Sequence, residues 1–235
     1  MRIMLAIPEK DNCLSEISKF LKNDADLYVF PEGFLNNDTI HAALNIIKDT
    51  HSCVITGFKD NHKNGQQKAL VIESGVITDT YTKCILTKAE KEKGEIRGAS
   101  IHCVKTGFGV VGIPICYEIH FPEVSRVMMI DKPLFLLNII GTGMYHELQY
   151  EQWVTIAKTR AIENETFVLG CSHHCGQIPL AFAFSPSGQC ISLKKNASGS
   201  IIVEIDLKEC DKKTIGYWGD RVPELFTNLS REVTP

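Results

Sequence analysis

The sequence lacks any long hydrophobic run and any block of positive charge. Nowhere does it approach about 18 uninterrupted apolar residues, the length that a membrane-spanning helix needs. The first ten residues hold too short an apolar stretch to predict a signal peptide. Lysine and arginine number 25 against 28 acidic residues, so the charge pattern of a nucleic-acid-binding protein is missing. We therefore expect no membrane partner, no nucleic-acid partner and a cytoplasmic location.

Several short catalytic and ligand-binding motifs are also missing. No Gly-x-Ser-x-Gly sequence is present, which argues against a serine hydrolase of the α/β type. Gly94 and Gly98 do not form a phosphate-binding loop. Residues 171–175 (CSHHC) are rich in metal-ligand types but match no zinc signature, so a strand end followed by a turn is favoured over a metal site. We expect neither a metal nor an organic cofactor.

The cysteines do not form the pattern of a disulfide framework. Nine are scattered through the chain, often within apolar runs, as at Cys53 and Cys84. This distribution is typical of reduced thiols in an intracellular protein. With 44% hydrophobic and 23% charged residues, the chain has the composition of a globular protein. Its 235 residues suit a single domain over 1–235, with a core that needs no disulfide.

Short apolar runs rich in Val, Ile and Phe recur along the chain, and their lengths predict β-strands. The predicted strands are 3–7, 27–30, 53–56, 69–73, 110–115, 134–140, 167–171, 180–184 and 201–205. Amphipathic helices are predicted over 14–21, 40–47 and 153–162. A Ser74-Gly75 turn predicts a hairpin. The mixture predicts an α/β layered domain with mixed sheets, and two sheets packed face to face with outer helices would suit it.

Glu32 and Lys83 are candidate reactive residues at the ends or on the faces of predicted strands. Glu32 follows a proline that ends an apolar run, which places the carboxylate at the rim of a sheet. Lys83 alternates with Tyr81 and Ile85 on one strand face, and an inward lysine needs a carboxylate partner or a lowered pKa. Taken alone, each is more simply explained as a surface residue.

Cys116 is a candidate nucleophile. A buried strand is predicted to end at Cys116, and a helix is predicted to begin over 121–123. A thiol at such a junction lies near backbone N–H groups, which favour both a thiolate and an oxyanion. The alternative is an inert core cysteine, which is the usual role of this residue type.

Together these residues resemble the nitrilase superfamily of carbon–nitrogen hydrolases. That family is similar in carrying a glutamate in Phe-Pro-Glu, a lysine in Tyr-x-Lys and a cysteine in Cys-Tyr-Glu or Cys-Tyr-Asp, in this order and with comparable spacing. Here they are Glu32, Lys83 and Cys116. The run RAIEN at 160–164 and the turn SPSG at 185–188 extend the resemblance over nearly the whole chain. Each motif is weak alone, but four in fixed order favour functional roles for the three residues.

The resemblance implies a four-layer α-β-β-α sandwich that pairs into a homodimer or a higher homo-oligomer. It implies a thiol-dependent hydrolase of small non-peptide C–N bonds, which converts a linear amide to acid and ammonia through a thioester on Cys116. Glu32 is the implied proton carrier, and Lys83 with the backbone N–H of Tyr117 is the implied oxyanion site. A small molecule is the expected partner.

Other candidate substrate contacts come from the same resemblance. His120 stands where many relatives have arginine, a departure that bears on recognition of an anionic substrate. The family often has a further glutamate after the lysine, and both Glu90 and Glu92 are candidates. Trp153 is equally well explained as a core residue or as a part of the pocket.

Several alternative functions stay open at this point. Carbamoyl and nitrile hydrolysis belong to the same family. Acyl transfer is disfavoured, because the lipoprotein acyltransferase branch is membrane-anchored and this chain has no predicted spanning helix. A non-catalytic binding module that kept the fold is disfavoured by the intact Glu32, Lys83 and Cys116.

Overall fold

The computed structural model describes residues 1–9, 14–62, 64–206, 208 and 216–230. Within these residues, two β-sheets face each other, with β1 (Arg2–Ile7) of one sheet in contact with β10 (Phe167–Ser172) of the other. Helices lie on the outer faces of both sheets. The predicted four-layer α-β-β-α sandwich is therefore confirmed.

The larger sheet has seven strands and mixed pairing. Its strands are β1 (Arg2–Ile7), β2 (Leu27–Val29), β3 (Leu35–Asn36), β4 (Cys53–Lys59), β5 (Gln67–Glu73), β6 (Val76–Thr82) and β13 (Gly199–Glu204). The order is β13-β1-β2-β4-β5-β6, and β3 pairs with β4. The pairs β1–β2 and β2–β4 are parallel, so these strands end at the same edge of the sheet.

The smaller sheet has four strands in the order β12-β11-β10-β9. They are β9 (Phe135–Ile140), β10 (Phe167–Ser172), β11 (Leu180–Phe184) and β12 (Cys190–Lys195). The strands β9 and β10 are parallel, and the other pairs are antiparallel. A separate antiparallel hairpin is formed by β7 (Val104–Thr106) and β8 (Gly109–Val111).

Five α-helices lie in the described part of the chain. They are α1 (Leu14–Phe20), α2 (Ile40–Ile47), α3 (Lys88–Glu92), α4 (Pro122–Met128) and α5 (Glu147–Asn164). Short 3-10 helices cover Cys116–His120, Met129–Asp131 and Pro223–Ser230.

The alternation of side chains along the strands produces two hydrophobic cores. Leu5 and Leu27 point into the core between the sheets, while Met4 and Tyr28 belong to the core that α1 and α2 cover. This follows because successive side chains of a strand point to opposite faces. Burying an aliphatic side chain of this size contributes roughly 1.5–3 kcal/mol, so the pattern strongly fixes the register.

The prediction over 110–115 is wrong beyond Val111, where β8 ends. Pro114 has no N–H to donate, and its carbonyl accepts a hydrogen bond from the Asn138 side chain instead of a strand. Lys83 also lies just beyond β6, which ends at Thr82, although its N–H still donates to Gln67. The remaining predicted strands, the three helices and the hairpin at 74–75 are confirmed, with boundaries that differ by a few residues.

Candidate active site

The site lies where parallel strands of both sheets end. The stretch that follows β2 holds Glu32, Gly141 directly follows β9, and His173 directly follows β10. Across the two sheets, His173 Nε2 donates to the carbonyl oxygen of Glu32 at 2.8 Å. The fold therefore brings three distant segments of the chain together at one edge.

Glu32 is held by its backbone before its side chain makes any contact. The N–H of Gly57 donates to the Pro31 carbonyl at 3.1 Å, next to Glu32. A Cβ at Gly57 would lie 2.3 Å from the Glu32 Cα, so only glycine allows this approach. The Glu32 side chain is only 9% exposed. The surface position that the local pattern alone favours for Glu32 is therefore wrong, because the carboxylate is buried.

Lys83 is a fully buried lysine with two carboxylate partners. Its Nζ donates to Glu32 Oε1 at 2.7 Å and to Glu90 Oε1 at 2.6 Å. Burial alone would lower the pKa of Lys83, but Glu32, Cys116 and Glu90 outweigh it and raise that pKa. Lys83 is therefore an ammonium ion at neutral pH. An ammonium has three N–H donors, and these bonds occupy two of them.

Glu90, not Glu92, is the glutamate that reaches the lysine. Thr87 caps α3, and the Thr87 N–H donates to Glu90 Oε2 at 2.7 Å, which turns the carboxylate toward the site. Burial raises the pKa of Glu90, but the charge of Lys83 and these hydrogen bonds lower it overall. The Glu92 side chain is 64% exposed and pairs with Lys88 on the surface.

Cys116 begins a 3-10 helix and has a left-handed backbone conformation, with φ of 50°. A non-glycine residue in this region stores strain, and such residues cluster at functional sites. Asn138 stabilises the conformation, because its Nδ2 donates to the carbonyl oxygens of Pro114 at 2.7 Å and Cys116 at 3.2 Å. The side chain of Asn138 is itself held by Trp153 Nε1 at 2.9 Å.

The pKa of the Cys116 thiol is influenced by both Glu32 and Lys83. Burial and the neighbouring Glu32 carboxylate raise the pKa of the thiol, while Lys83 and the backbone N–H of Gly141 oppose this effect. The net direction is upward, so the resting form is a thiol rather than the thiolate that nearby N–H groups alone would favour. Activation of this thiol therefore needs a base, and the neighbouring Glu32 carboxylate is placed to act as one.

The remaining predicted residues, Tyr117, His120 and Trp153, form an aromatic group beside the nucleophile. The His120 ring lies 4.4 Å from Trp153 and 5.6 Å from Tyr117, centroid to centroid. Burial lowers the pKa of His120, with Arg160 adding to the effect, so the imidazole is neutral at pH 7. Trp153 is buried, and its N–H is occupied by Asn138. Tyr117 is partly exposed.

Asn138, Gly141 and His173 contact the site but were not predicted from the sequence. Asn138 lies within the predicted strand 134–140, Gly141 directly follows that strand, and His173 lies in residues 171–175, for which a strand end and a turn are predicted. Their contacts join residues far apart in the chain, 141 positions in the case of His173 and Glu32. A buried asparagine inside an apolar strand is the one signal that the sequence offers, since buried polar groups need specific partners.

The described residues contain no group of three or more His, Cys, Asp or Glu side chains placed to hold a metal ion. Residues 171–175 form the end of β10 and the turn after it. No described helix is long and apolar enough to cross a membrane.

Comparison with known proteins matches residues 11–213 to the carbon-nitrogen hydrolase family. The chain belongs to this family. Among curated proteins, a probable nitrilase of Schizosaccharomyces pombe is 25% identical over 201 residues, covering 79% of this chain and 72% of that protein. The chain spans only about half the length of other relatives, 54% of an aliphatic nitrilase of Rhodococcus rhodochrous and 53% of a bovine deaminated glutathione amidase.

Solved structures of carbon-nitrogen hydrolases share the fold. An enzyme of this family from Helicobacter pylori G27 superimposes with a TM-score of 0.84 at 15% identity, covering 99% of this chain and 98% of that one. A mutant amidase from Nesterenkonia sp. AN1 has a TM-score of 0.81 at 17% identity, covering 97% and 96%. In that protein, an acetamide moiety is covalently added to the active-site cysteine. These similarities confirm the nitrilase-superfamily fold.

Proposed function

We propose that this carbon-nitrogen hydrolase is a thiol enzyme that converts a linear amide to a carboxylic acid and ammonia. The observation that carries the proposal is the contact of a buried lysine ammonium with Glu32 and Glu90 beside Cys116. Burial of a charged group is unfavourable unless the charge is paired. A binding module has no use for a paired, buried ammonium beside a cysteine with a strained backbone, whereas a thiol enzyme does.

In the first half of the reaction, Cys116 attacks the amide carbon while Glu32 takes the thiol proton. The carbonyl oxygen becomes an oxyanion, which accepts hydrogen bonds from Lys83 and the backbone N–H of Tyr117. The carbon–nitrogen bond then breaks, Glu32 returns the proton to the nitrogen, and ammonia leaves. The product is an acyl thioester on Cys116.

In the second half, water hydrolyses the thioester. Glu32 takes a proton from the water as it attacks the acyl carbon, and the oxyanion forms again next to Lys83. Cleavage of the carbon–sulfur bond releases the carboxylic acid, and the proton on Glu32 returns to the sulfur. The cycle ends with the resting thiol.

The aromatic group of Tyr117, His120 and Trp153 bears on substrate choice. A neutral imidazole does not offer the permanent charge that arginine would offer to a carboxylate. We therefore assign to His120 a preference for amides without an anionic group close to the reacting carbon. Glu90 holds the lysine rather than the substrate.

Assembly and location are part of the proposal. Exposed apolar side chains support a homodimer or a higher homo-oligomer, among them Leu148 on α5 and Leu225 in the last 3-10 helix. Sedimentation velocity of the purified chain tests this point. A cytoplasmic location is proposed with it, and cell fractionation tests that.

The decisive experiment is ammonia release from a panel of neutral and anionic amides, carbamoyl compounds and nitriles. Cys116→Ala and Glu32→Gln are measured alongside, and both should stay folded and lose turnover. Release from carbamoyl compounds or nitriles alone would replace the amide assignment by one of those reactions. Near wild-type turnover in Glu32→Gln would contradict the role of Glu32.

If no substrate of the panel turns over, the reactivity of Cys116 decides between an enzyme and a binding module. Peptide mapping after iodoacetamide treatment compares Cys116 with the exposed Cys175 and Cys190. If all three react equally slowly and no substrate turns over, the enzyme proposal fails and the binding module takes its place.

A further inference from the structure

Glu118 is a buried carboxylate that the proposed mechanism does not use. It lies in the same 3-10 helix as Cys116, and its side chain is fully shielded from solvent. Four hydrogen bonds converge on it, from one hydroxyl and three backbone N–H groups. A carboxylate with this many ordered donors is fixed in position.

The four donors come from the two segments that carry the reactive residues. Glu118 Oε1 accepts from Tyr81 Oη at 2.9 Å, from the Cys84 N–H at 2.7 Å and from the Ile85 N–H at 3.1 Å. These residues flank Lys83 on both sides. Glu118 Oε2 accepts from the N–H of Ile115 at 2.8 Å, directly before Cys116.

All four groups that surround the Glu118 carboxyl are hydrogen-bond donors. Burial raises the pKa of Glu118, and this effect outweighs the opposing hydrogen bonds from the backbone donors and Tyr81. Burial and Glu118 raise the pKa of Tyr81, so the phenol keeps its proton and donates. None of the three backbone N–H groups can itself accept a hydrogen bond, and the two carboxyl oxygens of Glu118 are the acceptors for all of them.

We propose that Glu118 is a positioning residue that fixes the distance between the lysine segment and the nucleophile segment. It touches no reacting atom and acts through Lys83 and Cys116. The kcat measurement in its test rests on the proposed function, whereas the rate of Cys116 alkylation does not.

Glu118→Gln is the sharpest test, because the amide keeps the size of the side chain and loses one acceptor. Whichever way the amide turns, its NH₂ group faces a backbone N–H of one segment, and the link between the segments breaks. We expect kcat to fall about 100-fold with KM changed less than about threefold, since misalignment by about 1 Å has this effect. Alkylation of Cys116 by iodoacetamide should slow at least tenfold.

Three further variants make the result specific. Glu118→Asp restores two acceptor oxygens and should recover part of both rates. Tyr81→Phe removes one donor, keeps the buried ring and should slow both rates several-fold. Glu123→Gln makes the same charge change on an exposed side chain five positions away and should leave both rates unchanged. Thermal unfolding of each variant establishes how much of it is folded.

The inference is overturned if folded Glu118→Gln keeps wild-type alkylation of Cys116. If that variant does not fold, Tyr81→Phe decides, and wild-type alkylation and kcat in it would overturn the inference equally. Failure of the proposed function has a different signature, because the wild type would then turn over nothing on the panel. The alkylation rates would still decide whether Glu118 aligns the two segments.

Discussion

Gly141 should be essential for activity and dispensable for folding. It directly follows β9, and its backbone N–H is one of the groups that oppose the raised pKa of the Cys116 thiol. A Cβ added at Gly141 would lie 2.4 Å from Glu32 Oε2 and 3.3 Å from the Glu32 Cδ. The substitution Gly141→Ala therefore acts on the base and not on the backbone.

The size of the effect follows from this contact. Carbon and oxygen atoms that are not bonded need more than 3 Å, so the Glu32 carboxylate must move by about 1 Å. It cannot simply swing away, because Oε1 is held by Lys83 at 2.7 Å. A displacement of about 1 Å at a reacting group costs about 100-fold in rate, or about 2.7 kcal/mol of transition-state stabilisation.

The assay is steady-state ammonia release by Gly141→Ala on the best substrate of the panel, with thermal unfolding in parallel. We expect kcat to fall about 100-fold and the melting temperature to stay within a few degrees. Gly107→Ala is the matched control, since the new Cβ there meets only the end of the Glu73 side chain, at 3.1 Å. A folded Gly141→Ala enzyme with a kcat within threefold of wild type would refute the reasoning.

Three further predictions concern groups with shifted pKa values. Glu90→Gln should lower kcat at least tenfold because Lys83 loses a partner, whereas Glu92→Gln, on the exposed face of α3, should change kcat less than twofold in the same assay. Burial raises the pKa of Glu90, but Lys83 lowers it overall below its usual 4.5. The Lys83–Glu90 pair therefore stabilises the fold fully above pH 4.5, and this stabilisation is lost as the pH falls. Melting temperatures below about pH 4.5 should therefore drop more steeply in the wild type than in Glu90→Gln, and equal slopes would count against the pair. Burial, and to a smaller extent a nearby carboxylate, raises the pKa of Cys53 and Cys103 to about 12. Iodoacetamide at pH 8 should therefore label these two cysteines only after denaturation, which peptide mapping would measure.

Local sequence patterns predicted the strands and helices of the layers, because strand and helix periodicity depends on neighbouring residues. They did not by themselves select Glu32, Lys83 and Cys116, which were favoured by the four ordered motifs that resemble the nitrilase superfamily. Strand alternation and the proline before Glu32 are properties of neighbouring residues. The sequence could also have distinguished Glu90 from Glu92, because Thr87 and Glu90, three positions later, form a capping box. That pattern ties the Glu90 side chain to the start of α3.

What the sequence did not reveal are contacts that exist only after the two sheets meet. The bond from His173 to the Glu32 carbonyl joins β10 to the segment after β2, and no spacing predicts it. The end of β8 at Val111 also depends on a distant contact, because the Pro114 carbonyl accepts a hydrogen bond from the Asn138 side chain and not from a neighbouring strand. Side-chain amides that pair with a distant backbone leave no periodic signal.

The two carboxylates on Lys83 have different tasks in the proposed mechanism. Glu32 must gain and lose a proton in every cycle, and while it is protonated it no longer supports the charge of the lysine. Glu90 stays ionised, because the charge of Lys83 and the hydrogen bonds at the start of α3 outweigh the effect of burial on its pKa. Lys83 therefore keeps one anionic partner throughout, and its charge is available to the oxyanion at the moment when Glu32 holds the proton of Cys116.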